Sequence, residues 1–328
     1  MKSLLIFALG SSHAFGAEVA RRLGVACAPH EERAFEDGEY KLRPLASVRG
    51  GDVYLIFSLY REAGASSAEK LLKLLFFIGA LKDSGAARVT AVVPYLAFSR
   101  KDRRTKPRDP ITTRYVAQLF DAMRADAVMT IDVHNLAAFE NAFRCETIPL
   151  DAHALFARHL APRLGDAPVA VVSPDLGGEK RAELFRQKLE SRLGRPVAKA
   201  FMDKTRSEGR VTGELFAGDV AGRAAIILDD LIAGGGTIAR TAAACRAHGA
   251  ASVHAVATHG VFTEKTPATL MGAGLDALLL TDSVPLTDTA ALTLQDQLAV
   301  LPLAELFAQA IGRRHGNGSI SDLLANGP

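Results

Sequence analysis

Several features that mark large protein classes are scarce or missing in this chain of 328 residues. It has three cysteines, Cys27, Cys145 and Cys245, widely spaced and with no CxxC pair. That excludes a disulfide framework and a zinc knuckle, and it fits a reducing compartment, read here as cytoplasmic. No apolar run approaches the roughly 18–20 residues of a membrane span. Lys2 followed by Leu4–Leu9 is shorter than a typical signal-peptide core and reads as a buried first strand. An excess of one charge is also missing. Lys and Arg number 39 against 36 Asp and Glu, a net charge of +3. Whole-chain attraction to nucleic acid or to a membrane is therefore not expected. No low-complexity linker interrupts the chain. What remains, 48% hydrophobic and 23% charged residues, is enough for a large core, and the length predicts two domains.

Apolar runs alternate with helical periodicity. Strands are predicted at Leu4–Leu9, Asp52–Ser58, Arg88–Pro94, Ala127–Asp132, Val169–Ser173, Pro196–Phe201, Ala224–Asp229, Ser252–Thr258 and Leu275–Thr281. Helices are predicted at Ala14–Leu23, Ser66–Asp83, Ile111–Arg124, Ala154–Leu164, Gly178–Leu193, Ile238–His248 and Leu303–Arg313. Ser66 and Glu69 match a capping box. Short, unbroken apolar strands alternating with helices imply an α/β fold with largely parallel sheets. The break between halves is expected near Pro149–His153, and the polar, Gly-rich tail Gly316–Pro328 is expected to be mobile. Parallel sheets bind ligands beyond the carboxyl ends of their strands.

The most informative strand end is Ile226-Ile227-Leu228-Asp229-Asp230-Leu231-Ile232-Ala233-Gly234-Gly235-Gly236-Thr237. Two carboxylates precede a Gly-rich turn and a helix start. The glycines let a phosphate approach backbone amides, and the helix N-terminus adds unpaired N–H groups and a positive dipole end. Carboxylates repel phosphate but accept from the hydroxyls of a sugar diol. A phosphate cradle beside a diol clamp describes a site for ribose 5-phosphate; an ordinary βα turn with solvated acids is the bland reading.

This stretch resembles the phosphoribosyl-pyrophosphate motif of the phosphoribosyltransferase fold, and from about residue 4 to about 323 the chain is similar to the ribose-phosphate pyrophosphokinases. Further motifs carry the resemblance in the family's order. They are Phe35-Glu36-Asp37-Gly38-Glu39, Val48-Arg49-Gly50 leading to Asp52-Val53-Tyr54, Arg88 to Tyr95, Arg100-Lys101-Asp102-Arg103 and Thr130-Ile131-Asp132-Val133-His134. Then come Ser173-Pro174-Asp175-Leu176-Gly177-Gly178 with Lys180-Arg181, Asp203-Lys204-Thr205-Arg206 and Thr258-His259-Gly260-Val261.

The resemblance implies two similar phosphoribosyltransferase-like domains, each a mostly parallel sheet flanked by helices. Residues 1–149 would form the ATP side and 150–295 the ribose 5-phosphate side, with 296–328 packing back on the N-terminal domain. It implies transfer of the pyrophosphoryl group of Mg-ATP to the C1 hydroxyl of ribose 5-phosphate, with release of AMP, in a homo-oligomer such as a dimer or hexamer. Lys204 and Arg206 would be catalytic, on a mobile loop closing over the transferring phosphates. ATP would be held by Phe35, Asp37, Glu39, Arg100, Lys101, Asp102 and His134, and ribose 5-phosphate by Asp229, Asp230, Ala233, Gly234, Gly235, Gly236 and Thr237. His134 and Asp175 would serve Mg2+. His259 reads as structural. The family pattern DD-x-x-D-T-x-G-T is broken at Ala233 and Gly234, which remove a carboxylate and a hydroxyl. A silent or altered-specificity paralogue acting as a regulatory subunit is therefore the competing expectation.

Overall fold

The computed structural model describes residues 2–207 and 210–326; the side chains of residues 204–214 and 326 lie outside that description. The chain splits into two compact units, Met1–Asp151 completed by Leu303–Asn326, and Ala152–Pro302. The first unit runs β1 (Leu4–Ala8), α1 (His13–Arg22), β2 (His30–Ala34), β3 (Tyr40–Pro44), β4 (Asp52–Ile56), α2 (Ser67–Asp83), β5 (Arg88–Val92), α3 (Thr112–Ala122), β6 (Ala127–Ile131), α4 (Leu136–Ala142) and β7 (Glu146–Leu150). Its main sheet has the order β1-β4-β5-β6-β7, paired in parallel throughout. Every residue of β4 (DVYLI) and β6 (AVMTI) is buried, which is why these strands read as unbroken apolar runs. The capping box forms: Ser66 Oγ accepts from the Glu69 amide at 3.2 Å, and Glu69 Oε2 accepts from the Ser66 amide at 2.6 Å. The antiparallel hairpin β2–β3 was not predicted, because HEERA is mostly charged and the inward alternation of YKLRP, at Tyr40, Leu42 and Pro44, is too short to stand out.

The second unit runs α5 (His153–Leu164), β8 (Val169–Ser173), α6 (Glu179–Leu193), β9 (Ala198–Ser207), β10 (Arg210–Gly218), β11 (Ala224–Ile232), α7 (Gly236–Ala247), β12 (Ser252–Gly260), α8 (Thr266–Met271), β13 (Ala277–Thr281), α9 (Asp288–Leu294) and β14 (Leu298–Leu301). Its seven-stranded sheet has the order β10-β9-β8-β11-β12-β13-β14, antiparallel only at β9–β10. The register pairs Ala198–Phe201 of β9 with β8; β9 then runs on to Ser207 against β10. The stretch Asp203–Arg206, expected as a loop, therefore has its backbone in a strand that continues past the carboxyl end of β8.

The chain then returns to the first unit as α10 (Ala304–His315) and α11 (Ile320–Asn326). Helix α11 lies within the tail expected to be mobile. On α1, Phe15 meets Phe307 of α10 edge-to-face at 5.5 Å, and Arg22 pairs with Glu305. The end of α10 reaches the amino-terminal edge of the sheet. Asp52, the first residue of β4, is fully buried. Its carboxylate accepts from both sides of the Arg88 guanidinium, with Arg88 Nε at 2.6 Å, and lies 2.7 Å from His315 Nδ1. Arg314 Nη2 donates to Glu146 Oε2 at 2.6 Å. Burial pushes the Asp52 carboxyl up, but the hydrogen bonds from Arg88 and then His315 outweigh it and hold the group below its usual range.

Removing one partner of a buried ion pair leaves an uncompensated charge. Arg88→Met should lower the unfolding free energy by about 3 kcal/mol in urea titration. Because the folded pKa of Asp52 is depressed, its stabilisation is present above its unfolded value near 3.8 and is lost as pH falls through the folded value. The stability advantage of wild type over Asp52→Asn should hold at neutral pH and shrink below about pH 4.

Candidate active site

In the second unit β8 and β11 are parallel neighbours, so the segments after them open on one edge. Asp230 is 2% exposed, and its amide donates to Asp229 Oδ1 at 2.9 Å. Burial, then the adjacent Asp230 charge, pushes the Asp229 carboxyl well above the usual carboxylate range; Asp175 adds to the repulsion and Arg181 opposes it. Arg181, in the first turn of α6, places Nη1 3.1 Å from Asp230 Oδ1 and 3.6 Å from Asp229 Oδ1. Asp175 is exposed after β8, and its Oδ1 accepts from the Gly178 amide at 3.0 Å. Ser173 Oγ donates to the Asp175 carbonyl at 2.7 Å.

The turn between β11 and α7 is shaped by its glycines unequally. Gly235 is left-handed, with φ of +77°, and a Cβ there would stand 3.3 Å from Thr269 and Leu270. At Gly234 a Cβ would meet nothing within 4 Å. The Ala233 carbonyl accepts from the hydroxyl of Thr266, a wholly buried residue whose Oγ1 in turn accepts from the Thr263 amide at 2.9 Å. Helix α7 has no acidic residue in its first turn, and its N-terminus carries the positive end of the helix dipole.

The candidates for the ATP side lie in the first unit. Phe35, Asp37 and Glu39 surround the β2–β3 turn. Phe35 is 41% exposed with the Arg33 guanidinium 5.1 Å from its ring centroid. Asp37 Oδ1 accepts from the Glu39 amide at 3.0 Å. Arg100 is exposed after β5, but its neighbours are engaged within the fold. Asp109 Oδ2 accepts from Lys101 Nζ at 2.5 Å, from the amides of Thr105 and Lys106 at 3.0 Å each, and from Thr105 Oγ1 at 2.8 Å. Lys101 and the other donors hold the Asp109 carboxyl well below its usual range. Asp102 accepts from Asn135 Nδ2 at 2.5 Å, while Asn135 Oδ1 caps α4 through the Ala138 amide at 3.2 Å. His134 is exposed just before that cap, two residues after Asp132, which has a left-handed φ of 42°.

The expected residues therefore fall into groups. Asp175, Asp229, Asp230 and the turn 233–237 share one edge of the second unit. The Phe35 hairpin and the 100–109 segment with His134 belong to the first. His134 and Asp175 lie in different units, and among the described residues no three His, Cys, Asp or Glu side chains are placed to hold a metal ion. The side chains of Lys204 and Arg206 lie outside the described residues. His259 is 3% exposed, with Nδ1 2.9 Å from Ser283 Oγ, in keeping with a structural role. The roles of Arg181, Thr266, Asn135 and Asp109 were not foreseen. Of these only Arg181 carried a sequence signal, as part of the Lys180-Arg181 pair in the motif that follows Asp175.

A two-unit α/β chain with an acidic pair and a glycine turn at the carboxyl edge of a parallel sheet belongs to the phosphoribosyltransferase-fold class. Comparison with known proteins narrows this. Residues 4–123 match the N-terminal domain of ribose phosphate pyrophosphokinase, and residues 206–325 match the phosphoribosyl synthetase-associated domain. A ribose-phosphate pyrophosphokinase of Caldanaerobacter subterraneus is 37% identical over 324 residues, 98% of each chain. One from Wolinella succinogenes is 33% identical, covering 99% of this chain and 100% of the relative. The crystal structure of phosphoribosylpyrophosphate synthetase from Mycobacterium smegmatis superposes with a TM-score of 0.85 at 32% identity, over 97% of this chain and 100% of that one. The chain belongs to the ribose-phosphate pyrophosphokinase family.

The two loop glycines predict opposite outcomes. Gly235→Ala forces a left-handed alanine into a crowded position and should destabilise the protein by at least about 1–2 kcal/mol. Gly234→Ala should change stability by less than about 0.5 kcal/mol. Urea unfolding of the two variants checks this.

Proposed function

We propose that this chain transfers the pyrophosphoryl group of Mg-ATP to the C1 hydroxyl of ribose 5-phosphate, giving 5-phosphoribosyl 1-pyrophosphate and AMP. The observation that carries the reading is the adjacent carboxylates of half-buried Asp229 and buried Asp230 beside the open Gly234 turn, in a chain aligned end to end with ribose-phosphate pyrophosphokinases. Asp229 and Asp230 accept from the ribose diol, and the amides of Gly234–Thr237 take the 5-phosphate. Phe35 offers a stacking face for adenine, Arg100 meets the triphosphate, and His134 contacts ATP. Lys204 and Arg206 stabilise charge on the transferring group. Asp109 and Asn135 shape the loop that bears Arg100, Lys101 and Asp102.

Mg2+ is the metal we infer. Asp175, exposed after β8, offers the kind of carboxylate oxygen that a hard cation takes. Bound there, Mg2+ would neutralise phosphate charge; a cation that keeps waters needs no cage built by protein alone. His134 suits a contact through phosphate or water. We further infer a cytoplasmic homo-oligomer; no helix among the described residues is long and apolar enough to cross a membrane.

The full-coverage relatives favour catalysis over a silent subunit despite Ala233 and Gly234. Purified protein should release AMP from Mg-ATP only when ribose 5-phosphate is present, and Lys204→Ala should lower that rate about a hundredfold or more. Well-folded protein giving no sugar-dependent AMP would overturn the reading. Restoring the loop with Ala233→Asp and Gly234→Thr should lower KM for ribose 5-phosphate about tenfold, the effect of one hydrogen bond to a charged group.

A further inference from the structure

The peptide that opens the glycine turn is held from outside the turn. Ala233 and Gly234 bring no polar side chain, and a Cβ on exposed Gly234 would meet nothing. The turn's own side chains therefore do little to fix how the peptide between these two residues is rotated. The restraint comes from α8, 33 residues along the chain. Thr266, its first residue, is wholly buried, and its hydroxyl donates to the Ala233 carbonyl. A hydroxyl has one proton to donate and two lone pairs to accept with. The proton of Thr266 goes to Ala233. Its lone pairs take the Thr263 amide at 2.9 Å and, because no second proton is available, the proton of the Thr263 hydroxyl, also at 2.9 Å. Every bonding direction of Thr266 Oγ1 is thus committed, and the hydroxyl is fixed on the Ala233 carbonyl.

A trans peptide is planar, with its C=O and N–H pointing opposite ways. Anchoring the Ala233 carbonyl on Thr266 therefore turns the Gly234 amide away from α8. Flipping that peptide would leave a buried hydroxyl without its acceptor. It would also offer an incoming anion a carbonyl oxygen in place of an N–H. We propose that Thr266 is a positioning residue for ribose 5-phosphate: it sets the Gly234 amide as a donor to the 5-phosphate before the sugar arrives. This rests on the reading of the Gly234–Thr237 turn as the ribose 5-phosphate site. The 5-phosphate takes no part in the reaction at the C1 hydroxyl, so the Gly234 contact is equally strong before and during the transfer. Loss of such a contact raises KM and leaves kcat unchanged.

The test compares the full chain with Thr266→Val, which keeps the branched shape and removes the hydroxyl, and Thr266→Ser, which keeps the hydroxyl and removes a buried methyl. Calorimetry measures the Kd of ribose 5-phosphate with Mg2+ and a non-hydrolysable ATP analogue present. AMP formation gives kcat and KM for each substrate, and thermal unfolding gives the melting temperature. Thr266→Val should raise Kd and KM for ribose 5-phosphate about tenfold, with kcat and KM for ATP unchanged. Thr266→Ser should keep wild-type affinity although its melting temperature falls. Sugar affinity that follows the melting temperature in both variants would assign Thr266 to stability alone and overturn the proposal. So would wild-type affinity in Thr266→Val, or an equal rise in its KM for ATP. If Thr266→Val does not fold, Thr266→Ser and Thr266→Ala, which differ only in the hydroxyl, make the same comparison, and equal affinity in those two would overturn the proposal. Wild type that binds ribose 5-phosphate but forms no AMP would refute the pyrophosphokinase reading alone, and calorimetry on the variants would still decide the role of Thr266. Wild type that binds no ribose 5-phosphate would refute the reading of the turn and the assignment of Thr266 with it.

Discussion

Asp229 and Asp230 repel one another at the end of β11, in a place where burial has removed most of the water that would screen them. That repulsion sets the terms for the carboxyl edge of the second unit. It calls for Arg181 from the neighbouring helix α6, 3.1 Å away. It favours ligands that bring hydroxyl donors or a hard cation, and it keeps phosphate away from the acids themselves. The phosphate is left to the glycine turn, whose left-handed Gly235 and Thr266-anchored Ala233 carbonyl fix the path of the backbone. One strand end thus separates diol recognition from phosphate recognition by a few residues.

The first unit uses its two sheet edges differently. At the amino-terminal edge, opposite charges are paired: buried Asp52 meets Arg88 and His315, and Arg314 meets Glu146. At the carboxyl edge, charges are arranged to stay partly available. Asp109 gathers Lys101 and the amides of Thr105 and Lys106 onto one oxygen, which folds the cationic segment around an internal anion while Arg100 stays exposed. The same chemistry of carboxylate and cation gives rigidity at one edge and a binding surface at the other.

Much of this was legible in the sequence, for identifiable reasons. Strands such as Val169–Ser173 are buried on both faces, so their apolar composition alone marks them. The acidic pair and glycines of 229–236 are contiguous, so their chemistry can be read without a fold. The β2–β3 hairpin was not legible because charged residues dominate β2 and the alternation of β3 spans only five residues. Helix α11 was hidden by the Gly-rich segment before it. Lys101 read as a free phosphate ligand because its partner, Asp109, becomes one only when the segment folds back. Arg181 and Thr266 act on the 229–237 segment from distant points of the chain, and local spacing carries no trace of that.

The placement of α10 and α11 in the first unit has a consequence for how the protein is made. Translation delivers residues 1–151 first, but the helix whose Phe307 packs on Phe15 and whose His315 meets buried Asp52 follows the whole second unit. Domains whose chain is continuous fold as they leave the ribosome. Here the unit that begins first is completed last, and until then the Asp52 carboxylate lacks His315. A nascent chain therefore carries an unfinished sheet edge through the synthesis of about half the protein, the interval in which chaperone engagement matters most.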